Sequence, residues 1–259
     1  MTNNVGNTKP LLMDFTLSKY SNLLDALKAY GFESLILRHD VDLKPYNSLR
    51  TAQMEAERGL RGIYYFRAVP QSWNEEVIKL VSLLGHEIGY HYESLTTCNG
   101  DVDKAYEDFK SNLEKLRELV PVRSICMHGS PRSPWDSKDI WKKHDYRELG
   151  ITNEPYLDTN FSKTFYITDT GRRWDGYKVS VRDKIPEYQD LWTAQGLTYH
   201  STDDRLKALA AGTFPRNVMF TVHPQRWNPP GAAWCKELLL QNAKNIIKRI
   251  LVSTSASRK

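Results

Sequence analysis

Apolar positions along the chain switch between a spacing of three to four and short continuous runs, a pattern that predicts helices alternating with strands. Leu17, Tyr20, Leu23, Leu24 and Leu27 share one stripe, so residues 15–32 read as an amphipathic helix, capped by Thr16 or Ser18 and stopped by Gly31. The run SLILRHDVD (34–42) follows as a buried strand. A helix from about Asn47 to Arg58 ends at Gly59. GIYYFRAV (62–69), HEIGYHYE (86–93) and RSICMHG (123–129) read as strands, separated by helical patterns at NEEVIKLVSLLG (74–85) and DVDKAYEDFKSNLEKLREL (101–119). The second half alternates less regularly. KTFYITDT (163–170) and YKVSV (177–181) read as strands able to form a hairpin around Gly171–Gly176. TDDRLKALAAG (202–212) reads as a helix, NVMFTVHP (217–224) as a strand, and AWCKELLLQNAKNIIKRIL (233–251) as a closing helix. Strands separated by helices of this length point to βαβ units and a parallel sheet. With no internal repeat and no linker, one α/β domain over 13–252 is expected, between a flexible segment 1–12 and a frayed tail 253–259.

Composition narrows the function. Hydrophobic residues make up 40% and charged residues 26% of the chain, as in a soluble globular protein. The net charge of +5 comes from scattered Lys and Arg, without the basic stripe or module of a nucleic-acid binder. Cys98, Cys126 and Cys235 are odd in number and far apart, which disfavours a disulfide framework or a cysteine zinc site. No apolar run reaches the ~18 residues of a membrane helix, and MTNNVGNTKP lacks the basic start and apolar core of an export signal. A reducing, cytoplasmic setting is therefore expected.

Candidate chemistry gathers where strands end, which in parallel α/β barrels is where the βα-loops build the site. Alternation along LILRHDVD puts Arg38, Asp40 and Asp42 on one face. Two carboxylates facing one way repel unless a cation or proton lies between them. Along GHEIGYHYE the same rule groups Glu87, Gly89, His91 and Glu93, and an imidazole beside carboxylates suits a divalent transition metal. His128 ends the next strand before a loop with two prolines and Arg132. His223, just before Pro224 at a further strand end, could serve as a general acid.

With RHDVD, GHEIGYHYE, RSPW and TVHP in this order and spacing, the chain resembles the NodB-type polysaccharide deacetylases over roughly residues 15–250. The resemblance implies a distorted (β/α)7 barrel and hydrolysis of N- or O-linked acetyl groups on sugars. It implies one divalent metal, Zn2+ first, Co2+ or Ni2+ otherwise. It makes Asp40 the catalytic base, Arg132 the residue positioning it, His223 the general acid, and Asp42 and His91 metal ligands. The family's second metal histidine lies four residues after the first, where this chain has Leu95. Strand-end placement makes His128 the expected third ligand, with Glu93 the alternative. Trp135, Asp169, Arg173 and Trp174 are expected at the substrate; in the stretch 156–176 the resemblance implies an aspartate that tunes the acid and a tryptophan lining the pocket, with Asp158 a further candidate. The expected partner is an acetylated sugar or polysaccharide precursor, with oligomeric state open. Other readings of the same residues are a non-catalytic sugar-binding module and a hydrolase of another amide or ureide.

Overall fold

The structure, a computed structural model, describes residues 13–130, 133–174, 180 and 182–256. Six strands, β1 (Ser34–Val41), β2 (Ile63–Phe66), β3 (Glu87–Tyr92), β4 (Val122–Met127), β5 (Phe165–Thr168) and β6 (Asn217–Val222), form one sheet in the order β4-β3-β2-β1-β6-β5. Every pairing is parallel. The helices are α1 (Leu17–Ala29), α2 (Pro45–Ala56), α3 (Glu75–Leu83), α4 (Ser94–Thr97), α5 (Val102–Arg117), α6 (Pro155–Asp158), α7 (Pro186–Ala194), α8 (Thr202–Ala210) and α9 (Ala232–Ala256). The α/β expectation holds as a six-stranded parallel sheet with helices. A seventh strand is not among the described elements. Beside β4 there is instead a single parallel bridge, Ser124 to Asn153. Of the expected hairpin, KTFYITDT supplies β5, whereas most of YKVSV lies outside the described residues, as does the segment 1–12. The closing helix runs to Ala256, past the expected start of the frayed tail.

Local signals account for the helix boundaries. The Thr16 side chain caps α1, as its sequence position suggested, and Asn74 and Asp101 accept from the third backbone amides of α3 and α5. α8 opens with a full capping box between Ser201 and Asp204. α4, α6 and α7 carry too short or too weak an apolar pattern to be read in advance.

Alternation along each strand divides the molecule into an inner and an outer face. Outward residues of β2–β4, including Tyr64, Phe66, Tyr90 and Ile125, pack against Val77, Ile78 and Val81 of α3 and Phe109, Leu113 and Leu116 of α5. A second core joins Val218, Phe220 and Val222 of β6 to Tyr20, Leu23, Leu24 and Leu27 of α1. The inner face is tight as well. A Cβ on Gly89 would lie 2.3 Å from the Tyr65 ring, so glycine there lets that ring cross β3.

Between sheet and helices lies a fully buried polar cluster centred on Glu55 of α2. Its carboxylate meets His39 Nε2 at 2.7 Å, accepts from the Tyr64 hydroxyl at 3.0 Å and from Tyr20, and faces His86 Nδ1 at 3.6 Å. The His39 ring stacks on Tyr64 with centroids 4.0 Å apart. Burial alone would raise the Glu55 carboxyl, but His39 and the Tyr20 hydroxyl hold it below its ordinary 4.5. The folded protein thus binds this proton less readily than the unfolded chain. The stability Glu55 contributes is present above about pH 4.5 and is lost as pH falls through the lower, folded value. Glu55→Gln is expected to cost about 3 kcal/mol at pH 7 in urea unfolding, as when one partner of a buried pair is removed. The variant's stability should also fall less steeply below pH 5 than that of the wild type. Equal acid slopes would contradict the assignment.

Candidate functional site at the strand ends

The C-terminal ends of β1, β3, β4, β5 and β6 surround a pocket of about 110 Å³ lined by Arg38, Asp40, Asp42, His91, His128 and His223, with Tyr156, Thr170, Arg182, Asp183 and Arg226 among the remaining wall. β1 ends at Val41, and the Asp42 amide donates to the Asp40 carbonyl at 3.1 Å, a tight reversal that turns both carboxylates into the pocket.

Asp40 is 3% exposed, and Arg38 two residues earlier grips both of its oxygens, Nε to Oδ1 at 2.8 Å and Nη2 to Oδ2 at 2.6 Å. This fork is a strong way to fix a carboxylate. Arg132, expected in that role, lies outside the described residues. Alternation had placed Arg38 on the same face as Asp40, and that was the available signal for the contact. The Arg38 guanidinium also lies over the Tyr156 ring, 4.7 Å from its centre.

Asp42 sits among three imidazoles. Its Oδ1 is 3.6 Å from His91 Nε2 and 3.5 Å from His128 Nε2, and its Oδ2 is 3.9 Å from His223 Nε2. Oδ1 is buried without a hydrogen-bond partner, while Oδ2 accepts from the Gln225 amide at 3.1 Å. Burial would raise the Asp42 carboxyl, but His91, His128 and His223 together hold it well below the usual carboxylate range.

The far nitrogen of each ring is committed. His91 Nδ1 lies 2.9 Å from the Cys126 carbonyl, which can only accept, so Nδ1 carries the proton and Nε2 faces Asp42. His128 Nδ1 lies 3.0 Å from a Glu93 oxygen, and that carboxylate is held in turn by Arg67 at 2.7 and 3.0 Å. Burial opposes the charge on Glu93, but His128 and Arg67 hold its pKa down to about 2. Glu93 was an alternative ligand because alternation along β3 put it on the face of His91. The strand stops at Tyr92, however, and the turn at Glu93 (φ −140°, ψ 23°) directs it to Arg67 and His128.

His223 is anchored by Asp169, whose Oδ1 lies 2.6 Å from His223 Nδ1. The Asp169 carboxylate also accepts from the His223 amide, Arg226 at 2.7 Å and the Trp227 indole at 2.9 Å. Burial would raise the Asp169 carboxyl, but Arg226 and His223 lower it. Fully buried behind the ring, Asp169 meets His223 as the resemblance expects of an aspartate that tunes the acid, and does not line the pocket as a substrate contact.

The other residues expected at the substrate lie outside the wall of this pocket. Trp174 is 4% exposed in the second core, stacked on Phe15, with its indole donating to Thr202 at 3.2 Å. Trp135 packs over Gly100, where a Cβ would lie 2.2 Å from its indole nitrogen, and it does not line the pocket. Arg173 is also absent from the wall, and Asp158 bonds Tyr146 and Arg147. Asp183 lines the pocket unforeseen, accepting from Tyr156 at 2.8 Å and Thr168 at 2.8 Å. Nothing in its local sequence marks it.

Ligand atoms of Asp40, His91 and Cys126, all buried, lie within 4.8 Å of one another and could hold a metal ion. A search of the sequence against protein-family models gives no match.

Proposed function

We propose that the protein is a metal-dependent hydrolase that removes acetyl groups, N- or O-linked, from a carbohydrate. The observation that carries this reading is the partnerless, buried Asp42 Oδ1 facing Nε2 of both His91 and His128. A carboxylate oxygen and two imidazole nitrogens turned toward one point repel unless a proton or cation lies among them. Their outer atoms have the supporting bonds that metal-ligating histidines characteristically have. Asp42, His91 and His128 would therefore hold the ion. The Asp40–His91–Cys126 group suits a cation less well. Arg38 already neutralises Asp40, and burial pushes the Cys126 thiol well above its usual range, away from the thiolate a metal needs. Zn2+ fits a set of two imidazoles and one carboxylate, with Co2+ and Ni2+ the other candidates. A bound ion would supply Lewis acidity, polarising the acetyl carbonyl and lowering the pKa of water.

The chain's own groups supply the proton transfers. Asp40, held by Arg38, takes a proton from water as it adds to the carbonyl carbon. His223 presents Nε2 to the pocket while Asp169 fixes Nδ1, so the ring can give its Nε2 proton to the departing nitrogen or oxygen. The Ser124–Asn153 bridge supports the seven-stranded barrel that accompanies this reading.

The deciding experiment supplies Zn2+, Co2+ or Ni2+ to metal-free protein and measures acetate released from acetylated oligosaccharides. Metal-dependent acetate is the expected result. Ammonia or a ring-opened product in its place would point to another amide or ureide hydrolase. Tight oligosaccharide binding with neither metal uptake nor hydrolysis would point to a binding module.

A further inference from the structure

α9 inverts the usual arrangement of a surface helix. Its inward residues are Trp234, Gln241 and Asn245, at 9%, 5% and 6% exposure, whereas Leu239, Leu240, Ile246 and Ile247 are 70%, 48%, 62% and 59% exposed. At about 100° per residue, Leu239, Leu240, Ala243, Ile246 and Ile247 form one stripe, opposite the docked residues. The sequence continues the same spacing with Ile250 and Leu251. The docking itself is polar. Asn245 donates to the Gly171 carbonyl at 2.8 Å, the Trp234 indole to the Asp14 carbonyl at 2.7 Å, and Glu237 pairs with Lys44 at 3.2 Å. Gly171 belongs to the turn Thr170–Arg172 that follows Asp169, and Thr170 lines the pocket, so α9 rests on the rim of the site.

Charge distinguishes the possible occupants of the stripe. Near the stripe α9 carries Lys236 and Lys244, both exposed, and the one acid in the helix sequence, Glu237, is already engaged by Lys44. A second copy of the helix laid on the stripe would bring like charges together, whereas an anionic surface would complement them. No helix among the described residues is long and apolar enough to cross a membrane, so α9 would lie along one. We propose that α9 is an interfacial helix that buries its apolar stripe in the surface of an anionic membrane and holds the pocket beside the lipid headgroups. This does not depend on the reaction in the pocket.

Co-sedimentation with vesicles tests it, comparing phosphatidylcholine alone with a mixture of phosphatidylcholine and phosphatidylglycerol. The full chain should sediment with the mixed vesicles only, and less so as salt screens the attraction. Leu239→Gln with Ile246→Gln should reduce partition at least about tenfold, with unchanged thermal unfolding and unchanged hydrolysis of a soluble substrate. Lys236→Gln with Lys244→Gln should weaken binding while leaving the stripe intact. No binding to the mixed vesicles, or binding indifferent to both double variants, would overturn the proposal. So would a concentration-dependent dimer in sedimentation velocity that Leu239→Gln with Ile246→Gln dissolves, which would assign the stripe to a second copy.

Discussion

Asp40→Asn is expected to lower the turnover of an acetylated oligosaccharide by about 10²–10⁴-fold, the range for loss of a general base, while metal content stays at the wild-type level. The substitution keeps the shape of the side chain and can still accept from Arg38, whose fork contacts both Asp40 oxygens. It removes the negative oxygen that takes the proton. Because Asp42, His91 and His128 would hold the ion without Asp40, binding and catalysis should separate. Parallel loss of metal and activity would show that Asp40 is a ligand, as the Asp40–His91–Cys126 grouping would have it. Wild-type turnover by the variant would rule Asp40 out as the base. Arg38→Lys should also slow turnover, because an ammonium cannot reproduce the two-point grip.

The second large effect concerns the ion. His128→Ala should weaken Zn2+ binding by more than about 100-fold and abolish hydrolysis, whereas Cys126→Ser should retain both. Glu93→Gln should fall between them, weakening the metal by about 10–100-fold, as changes at a ligand's outer partner do. The measurement is Zn2+ competition against a chromophoric chelator, which reads affinity without reference to activity. If Cys126→Ser lost the metal and His128→Ala kept it, the ion would belong to the buried group beside Arg38. The effect of His128→Ala would then need another cause.

Much of the fold was readable from the chain because both periods were clear. Continuous apolar runs gave β1 and β6, and the three-to-four spacing of Leu17 through Leu27 gave α1. The gathering of polar groups at strand ends was also readable, since alternation put Arg38 and Asp40 on one face of β1 and His91, His128 and His223 each stand near the end of a strand run. What failed shows where local pattern stops carrying information. Alternation predicts a side chain's direction only while the strand lasts, and β3 ends one residue before Glu93. An indole has the same sequence signature in a pocket wall and in a core, so Trp174 was misplaced. Asp183 and the Glu55 cluster depend on contacts between distant segments, which neither composition nor period encodes. Tyr156 and Asp183 are 27 residues apart, and Glu55 and His86 meet across two elements.

His39 lies between Arg38 and Asp40, pointing the other way, into the carboxylate of Glu55. β1 therefore carries polar groups on both sides, each matched to a separate set of partners. A slip of one residue against β2 or β6 would turn Arg38 and Asp40 together away from the pocket and His39 into it, separating His39 from Glu55 and the aspartate from His91. Such a misaligned strand would incur an electrostatic penalty as well as a packing one. Glu55 thus acts as a key for strand alignment, and the aspartate pair owes its place in the pocket partly to an acid on the opposite side of the sheet.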